Sequence, residues 1–228
     1  LHDRRNTGKS DLLIDDSETE EITWARELNN LFKSLDEKNI FISGSSSGAR
    51  TALMYALEFP NDLIGMIIMR VTGGEFAARR LPINYYEVFI ETAKKGGMEA
   101  VCKTNRFIEY IKTNPAVKQK LLEMDAEEFI NIQTNLLSKF LEGANLPVMG
   151  ITKKELDSIK MPSLVIPGND NTHNSKSGIN AYNMLGNSML HQLPIEDVDV
   201  DLISWEDWSA YEDEIAEVMS EFINKNMK

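Results

Sequence analysis

Three serines lie between two glycines in the stretch Gly44-Ser45-Ser46-Ser47-Gly48, directly after the apolar run NIFIS and directly before a helix-like pattern that starts at Ala49. This is G-x-S-x-G with Ser46 at its centre, in the strand-turn-helix setting that gives the pattern chemical meaning. Small residues on both sides let the chain turn sharply enough for Ser46 to project above the strand ends. The amide of Ser47, at the start of the helix, then points to where an oxyanion would form. The plainer reading is a Ser/Gly-rich turn that caps a helix or holds a phosphate. A serine hydroxyl is a weak nucleophile until a base removes its proton. The stretch therefore raises the question of a base.

Three histidines are available. His2 precedes a turn and reads as a hydrogen-bonded framework residue. His191 lies inside the last strand-like run, remote from a strand tip, and reads as structural. His173 follows Asp170 by three residues in GNDNTH, on a loop at the carboxyl ends of the strands, where open α/β sheets bind ligands. It reads equally as a base and as a loop residue facing solvent or substrate. Glu196, Asp197, Asp199 and Asp201 follow the last strand-like run. A carboxylate there, its pKa raised by burial, is a further candidate base. As metal ligands these four lack a turn glycine and regular oxygen spacing, so a solvated loop is the simpler account.

The elements that must position these groups follow from periodicity. Ser17-x-x-Glu20 is a capping-box pattern, and Ile22, Leu28, Leu31, Phe32 and Leu35 recur at helical spacing, which predicts a helix over 18–35. NIFIS reads as a buried strand, 49–59 as a helix closed by Pro60, and DLIGMIIMRV as the next buried strand. After Gly73-Gly74 the pattern turns helical, broken by Gly and Pro, until PSLVIPGND restores a strand. SKSGINAYNMLG is a short helix and SMLHQLP another strand. Trp205, Trp208, Ile215, Val218, Met219 and Phe222 mark a closing amphipathic helix. Strands alternating with helices imply a mostly parallel sheet with helices on both faces, an α/β class. The predicted division is a core of 1–74 and 161–228, with a helical cap inserted at 75–160.

A chain of 228 residues suits one core with an insertion. The longest apolar run, around Leu63 to Met69, is far too short to span a bilayer. A net charge of −12 with no dense Lys/Arg cluster argues against nucleic acid. A single cysteine, Cys102, cannot form an internal disulfide, and the scattered histidines lack zinc-ligand spacing, so a reducing cytoplasm is expected. Arg50 and Arg70 could meet an anionic substrate, although ion pairing is the commoner use in an acidic protein. Tyr85 and Tyr86 in RRLPINYYEVF are candidate substrate-contacting residues, with apolar rings and polar tips.

Taken in order along the chain, these patterns resemble the α/β-hydrolase superfamily, in its form with a helical cap. HDRRNTGKSD is similar to the superfamily's D-x-R-G-x-G-x-S segment, with Asp3, Arg5, Gly8 and Ser10 matching and Asn6 in place of the first glycine. Asn tolerates a left-handed backbone next best after Gly. ELDSIKMPSLVIPGND is similar to the segment that leads from cap to acid-bearing strand, which puts Asp170 where the triad acid belongs. The resemblance implies further strands before Leu1, and with them a second oxyanion-hole donor. It also implies a histidine in the loop after the last strand, where this sequence has none.

The expected function is a cofactor-free, metal-free serine hydrolase of a small ester, lactone or related carbonyl compound, with a small-molecule substrate as partner. Ser46 would be the nucleophile, Ser47 the oxyanion-hole donor, Asp170 the acid and His173 the base. The competing expectation is a catalytically silent relative that binds a ligand or signalling partner in the same pocket, since the scaffold alone does not decide chemistry.

Overall fold

The computed structural model describes residues 2–227. Four parallel strands, β1 (Ile40–Ser45), β2 (Leu63–Met69), β3 (Ser163–Ile166) and β4 (Ser188–Leu190), lie side by side in chain order. The helices are α1 (Glu20–Ser34), α2 (Ser47–Glu58), α3 (Glu75–Pro82), α4 (Val88–Val101), α5 (Asn105–Thr113), α6 (Ala116–Glu123), α7 (Ala126–Ala144), α8 (Lys153–Ser158), α9 (Ser175–Met184) and α10 (Glu212–Asn226). Among the described residues no helix is long and apolar enough to cross a membrane.

The chain divides into two compact units, Glu21–Ala78 with Glu142–Lys228, and Leu1–Glu20 with Arg79–Leu141. The first holds the sheet. Its strands are apolar on both faces because both faces are covered, and successive residues alternate between two cores. Ile42, Met66, Ile68 and Val165 pack with Ala25 and Leu28 of α1, with Leu53 and Tyr55 of α2, and with Leu156 and Ala181. Ile67, Met69, Leu164 and Ile166 pack instead with Trp208 and with Ile215 and Phe222 of α10. The uninterrupted apolar run of β2 is thus two interleaved sets, each facing its own layer of helices. α8 opens with the capping box its sequence announces, the Thr152 hydroxyl accepting from the Glu155 amide. α1 begins at Glu20, with the Ser17 hydroxyl donating to Asp15 at 2.6 Å. The closing helix starts only at Glu212. Trp208 is buried in a 3₁₀ segment before it, while Trp205 stays 38% exposed.

The second unit is helical, with a core of Leu12, Phe89, Val101, Phe107, Leu121 and Phe129. Residues 1–20 group with these helices, although the sequence pattern assigns them to the sheet. Leu12 enters the helical core, the Tyr110 hydroxyl donates to Ser10 O at 2.6 Å, and Lys120 pairs with Asp11 at 2.8 Å. Conversely, residues 142–160 group with the sheet unit, because Val148, Ile151 and Leu156 belong to its core. The segment similar to D-x-R-G-x-G-x-S is a turn in which Asn6 (φ 64°) and Gly8 (φ 55°) are both left-handed. Asn6 also accepts from Leu13 N and donates to Leu13 O. The asparagine replaces the glycine's backbone freedom and adds two hydrogen bonds.

Candidate active site

Ser46 sits between the end of β1 and the start of α2, at φ 57° and ψ −119°. A residue with a Cβ in this region costs on the order of 1–3 kcal/mol and persists only where its surroundings over-determine it. Here the Ser46 amide donates to Met69 O of the neighbouring strand at 3.1 Å, and Ser46 O accepts from Ala49 and Arg50 of α2. Ser47 is the first residue of that helix.

The two glycines of the motif have different duties. A Cβ on Gly44 would meet Gly48 O at 2.1 Å and Ala49 N at 2.8 Å, whereas one on Gly48 would meet nothing within 4 Å. Gly44→Ala is expected to destabilise the fold by about 2 kcal/mol or more, since the obstacle is backbone, and Gly48→Ala to stay within about 0.5 kcal/mol. Paired denaturant titrations check this. Equal effects would contradict the steric account.

β3 is followed by Pro167-Gly168 and a tight loop that leads to α9. A Cβ on Gly168 would lie 2.2 Å from His173 O, so the absence of a side chain lets the loop fold back on itself. Asp170 closes the turn, its Oδ1 accepting from Thr172 N at 2.9 Å and His173 N at 2.8 Å. Asn174 then caps α9, accepting from Ser177 N. The turn brings the side chains of residues 170 and 173 together. His173 Nδ1 lies 3.0 and 3.1 Å from the two oxygens of Asp170, and His173 Nε2 lies 2.8 Å from Ser46 Oγ. Asp170 and His173 are each about 1% exposed.

Protonation follows from the partners. Burial pushes the Asp170 pKa up, but the His173 side chain and the backbone amides of His173 and Ile203 outweigh it and hold the carboxyl well below its ordinary range. An ionised carboxylate only accepts, so the imidazole carries its proton on Nδ1. Nε2 is then the acceptor, and the serine hydroxyl donates to it. Chemically, such a geometry can set an oriented base on a serine hydroxyl.

The remaining candidates fall elsewhere. His191 pairs with Glu214 at 2.8 Å, and His2 is exposed. The acidic run after β4 ties down the loop that carries His173. Asp197 accepts from Ser175 N and Oγ, Asp199 from Asn171 Nδ2, Glu196 O from Asn169 Nδ2, and Asp201 O from Thr172 Oγ1. Among the described residues no group of three or more His, Cys, Asp or Glu could hold a metal ion. Arg50 pairs with Glu21 at 2.7 Å and Arg70 with Asp170 at 3.0 Å, which gives both arginines ion-pair partners within the sheet unit.

Tyr85 and Tyr86 belong to the helical unit. Pro82 inside α3 is followed by a π-helical turn over Ile83–Glu87 that carries both rings. Tyr86 is buried against Phe140 and donates its hydroxyl to Glu20 at 2.7 Å, while Tyr85 is half-buried.

No family model matches the sequence, and no curated protein matches it significantly. Solved structures do. An enol-lactonase from Burkholderia xenovorans superposes with a TM-score of 0.58 at 15% identity, covering 97% of this chain and 79% of its own. A thermophilic esterase from Thermogutta terrifontis gives 0.59 at 15% identity, with 99% and 79% covered. An α/β hydrolase enzyme from a Medee basin deep-sea metagenome library gives 0.59 at 18% identity, with 97% and 78% covered. The chain has the α/β-hydrolase fold. Within that fold the loop after the last strand, where the superfamily resemblance places a histidine, has none here. The imidazole that meets the serine comes instead from the loop of Asp170, three residues on. A D-x-x-H spacing directly after a strand and a Pro-Gly pair was the sequence signal for it.

Proposed function

We propose that the protein is a cofactor-free serine hydrolase acting on a small ester, lactone or related carbonyl compound. The observation that carries this reading is the 2.8 Å contact between Ser46 Oγ and His173 Nε2, with Nδ1 of the same ring on a buried carboxylate. His173 takes the hydroxyl proton as Ser46 attacks the carbonyl carbon, and Asp170 stabilises the imidazolium. The Ser47 amide, at the first turn of α2, stabilises the oxyanion. The imidazolium then gives its proton to the departing oxygen, which leaves an acyl-serine. In the second half, water gives a proton to His173 and attacks the acyl carbon; the bond from that carbon to Ser46 Oγ then breaks, the imidazolium returns the proton to Oγ, and the carboxylic acid leaves. The enol-lactonase and the esterase among the structural matches act on substrates of the same chemical class.

A catalytically silent binding protein is less favoured, because its main support was the want of a base, and His173 stands at the serine. A fluorophosphonate probe is expected to label the protein at Ser46, and Ser46→Ala to abolish labelling while shifting stability by less than about 1 kcal/mol. Mass spectrometry of the labelled peptide checks the position. Label that persists in Ser46→Ala, or that fails to form on wild-type protein turning over an ester, would rule out the covalent route.

A further inference from the structure

The superfamily base is missing after β4, yet that segment still reaches the Asp170 carboxylate, directly through the Ile203 amide and also through an arginine. Resting on the hydrolase reading, we propose that Arg70 is a positioning residue that holds Asp170 in register with His173. The two oxygens of Asp170 are secured differently. Oδ1 is held by the amides of its own turn, Thr172 and His173. The further partners of Oδ2 are remote in sequence. These are Arg70 Nη2 at 3.0 Å and Ile203 N at 3.3 Å, besides the imidazole it shares with Oδ1.

Arg70 Nη2 also donates to Ile203 O at 2.7 Å, so one nitrogen joins the carboxylate to the segment that follows β4. The guanidinium carbon lies 5.6 Å from the centroid of the Trp208 ring, and Trp208 Nε1 donates to Asn169 Oδ1, next to the catalytic acid. Arg70 is 6% exposed and left-handed (φ 48°) at the end of β2, an uncommon backbone for a long side chain. Its amide donates to Ile166 O, so β3 fixes the residue from which the side chain departs. Other acidic groups of the same loop have partners of their own, Asp199 in Asn171, Asp197 in Ser175 and Asp207 in Ser204 N.

Without Arg70, Oδ2 would keep one long amide bond, and the carboxylate plane could turn away from Nδ1. The guanidinium charge also competes with the imidazolium for the same carboxylate. Its loss should therefore favour the protonated imidazole.

The test is the rate of fluorophosphonate labelling at Ser46 against pH in wild type, R70Q and R70K. R70Q is expected to label at least tenfold more slowly, with the midpoint of its pH profile moved up by about one unit. R70K keeps the charge but not the planar fork over Trp208, so its midpoint should stay within about 0.3 units while labelling slows severalfold. An R70Q midpoint that stays or falls, or R70K labelling at the wild-type rate, would overturn the proposal. If R70Q does not fold, R70K decides alone. The proton NMR signal of His173 Nδ1–H separates this from the hydrolase reading, since it needs no reaction. Should wild-type protein not label, loss of that signal in R70Q and its retention in wild type still support the positioning role. Its retention in R70Q would refute it.

Discussion

His173→Ala is expected to lower turnover of the best ester substrate between about a hundredfold and ten-thousandfold, the range lost with a general base. The ring accepts from Ser46 at 2.8 Å, and no other histidine lies at the serine, His191 being paired with Glu214. The variant should also lose the rise of rate with pH that an imidazole base imposes. His191→Ala is the control. Its pair is partly exposed and contributes less than about 1 kcal/mol, so turnover and pH profile should match wild type. Steady-state rates of both variants from acid to alkaline pH make the comparison. A His173→Ala enzyme with near-normal rate would send the search for a base to Glu196, Asp197, Asp199 and Asp201, whose present contacts are structural.

Asp170→Asn combines a catalytic loss with a structural one. An amide is nearly isosteric with the carboxylate, but every partner of Asp170 is a donor: Thr172 N, His173 N, His173 Nδ1, Arg70 Nη2 and Ile203 N. Whichever way the amide is turned, its NH2 faces N–H groups. The ring then has reason to place its proton on Nε2, the tautomer that cannot accept from serine. Turnover is expected to fall by about 10⁴-fold. The fold should also lose about 3 kcal/mol or more, because Arg70 keeps its charge with its counter-ion gone.

The sign of the pH dependence follows from the depressed pKa of Asp170. A carboxyl ionised more readily in the folded state stabilises it at all pH values above the unfolded pKa. That stability is lost as pH falls through the folded value, below the ordinary carboxylate range. Urea titrations of wild type and Asp170→Asn should show the gap between them constant at neutral pH. The gap should narrow only in strong acid. A gap that closes near pH 5 would mean that Asp170 is not the depressed group.

Much of this arrangement was legible in local patterns, because local physics produces it. The apolar run of β2, the small residues around Ser46 and the Thr152-x-x-Glu155 box each specify their element through contacts within a few residues or through alternation along one strand. Asp170-x-x-His173 belongs to the same kind. A carboxylate that closes its own turn brings residues i and i+3 together, which is why His173 was visible as a candidate base. Other features depended on where distant segments return. The sequence placed residues 1–20 with the sheet, but Leu12 and Tyr110 draw them to the helices.

The amino-acid sequence by itself determined the alternation of strands and helices, the turn that displays Ser46, and the loop that carries both Asp170 and His173. The tertiary structure alone decided which of three histidines reaches the serine, across 127 residues of chain. It also decided that Arg70 meets Asp170, across 100 residues, and that the acidic segment after β4 secures the loop of His173. The division has a physical cause. A turn or a strand is specified by short-range sterics and periodicity, whereas a meeting between strand ends depends on strand order and register. Those are set by the summed packing of both sheet faces, and no single stretch of sequence contains it.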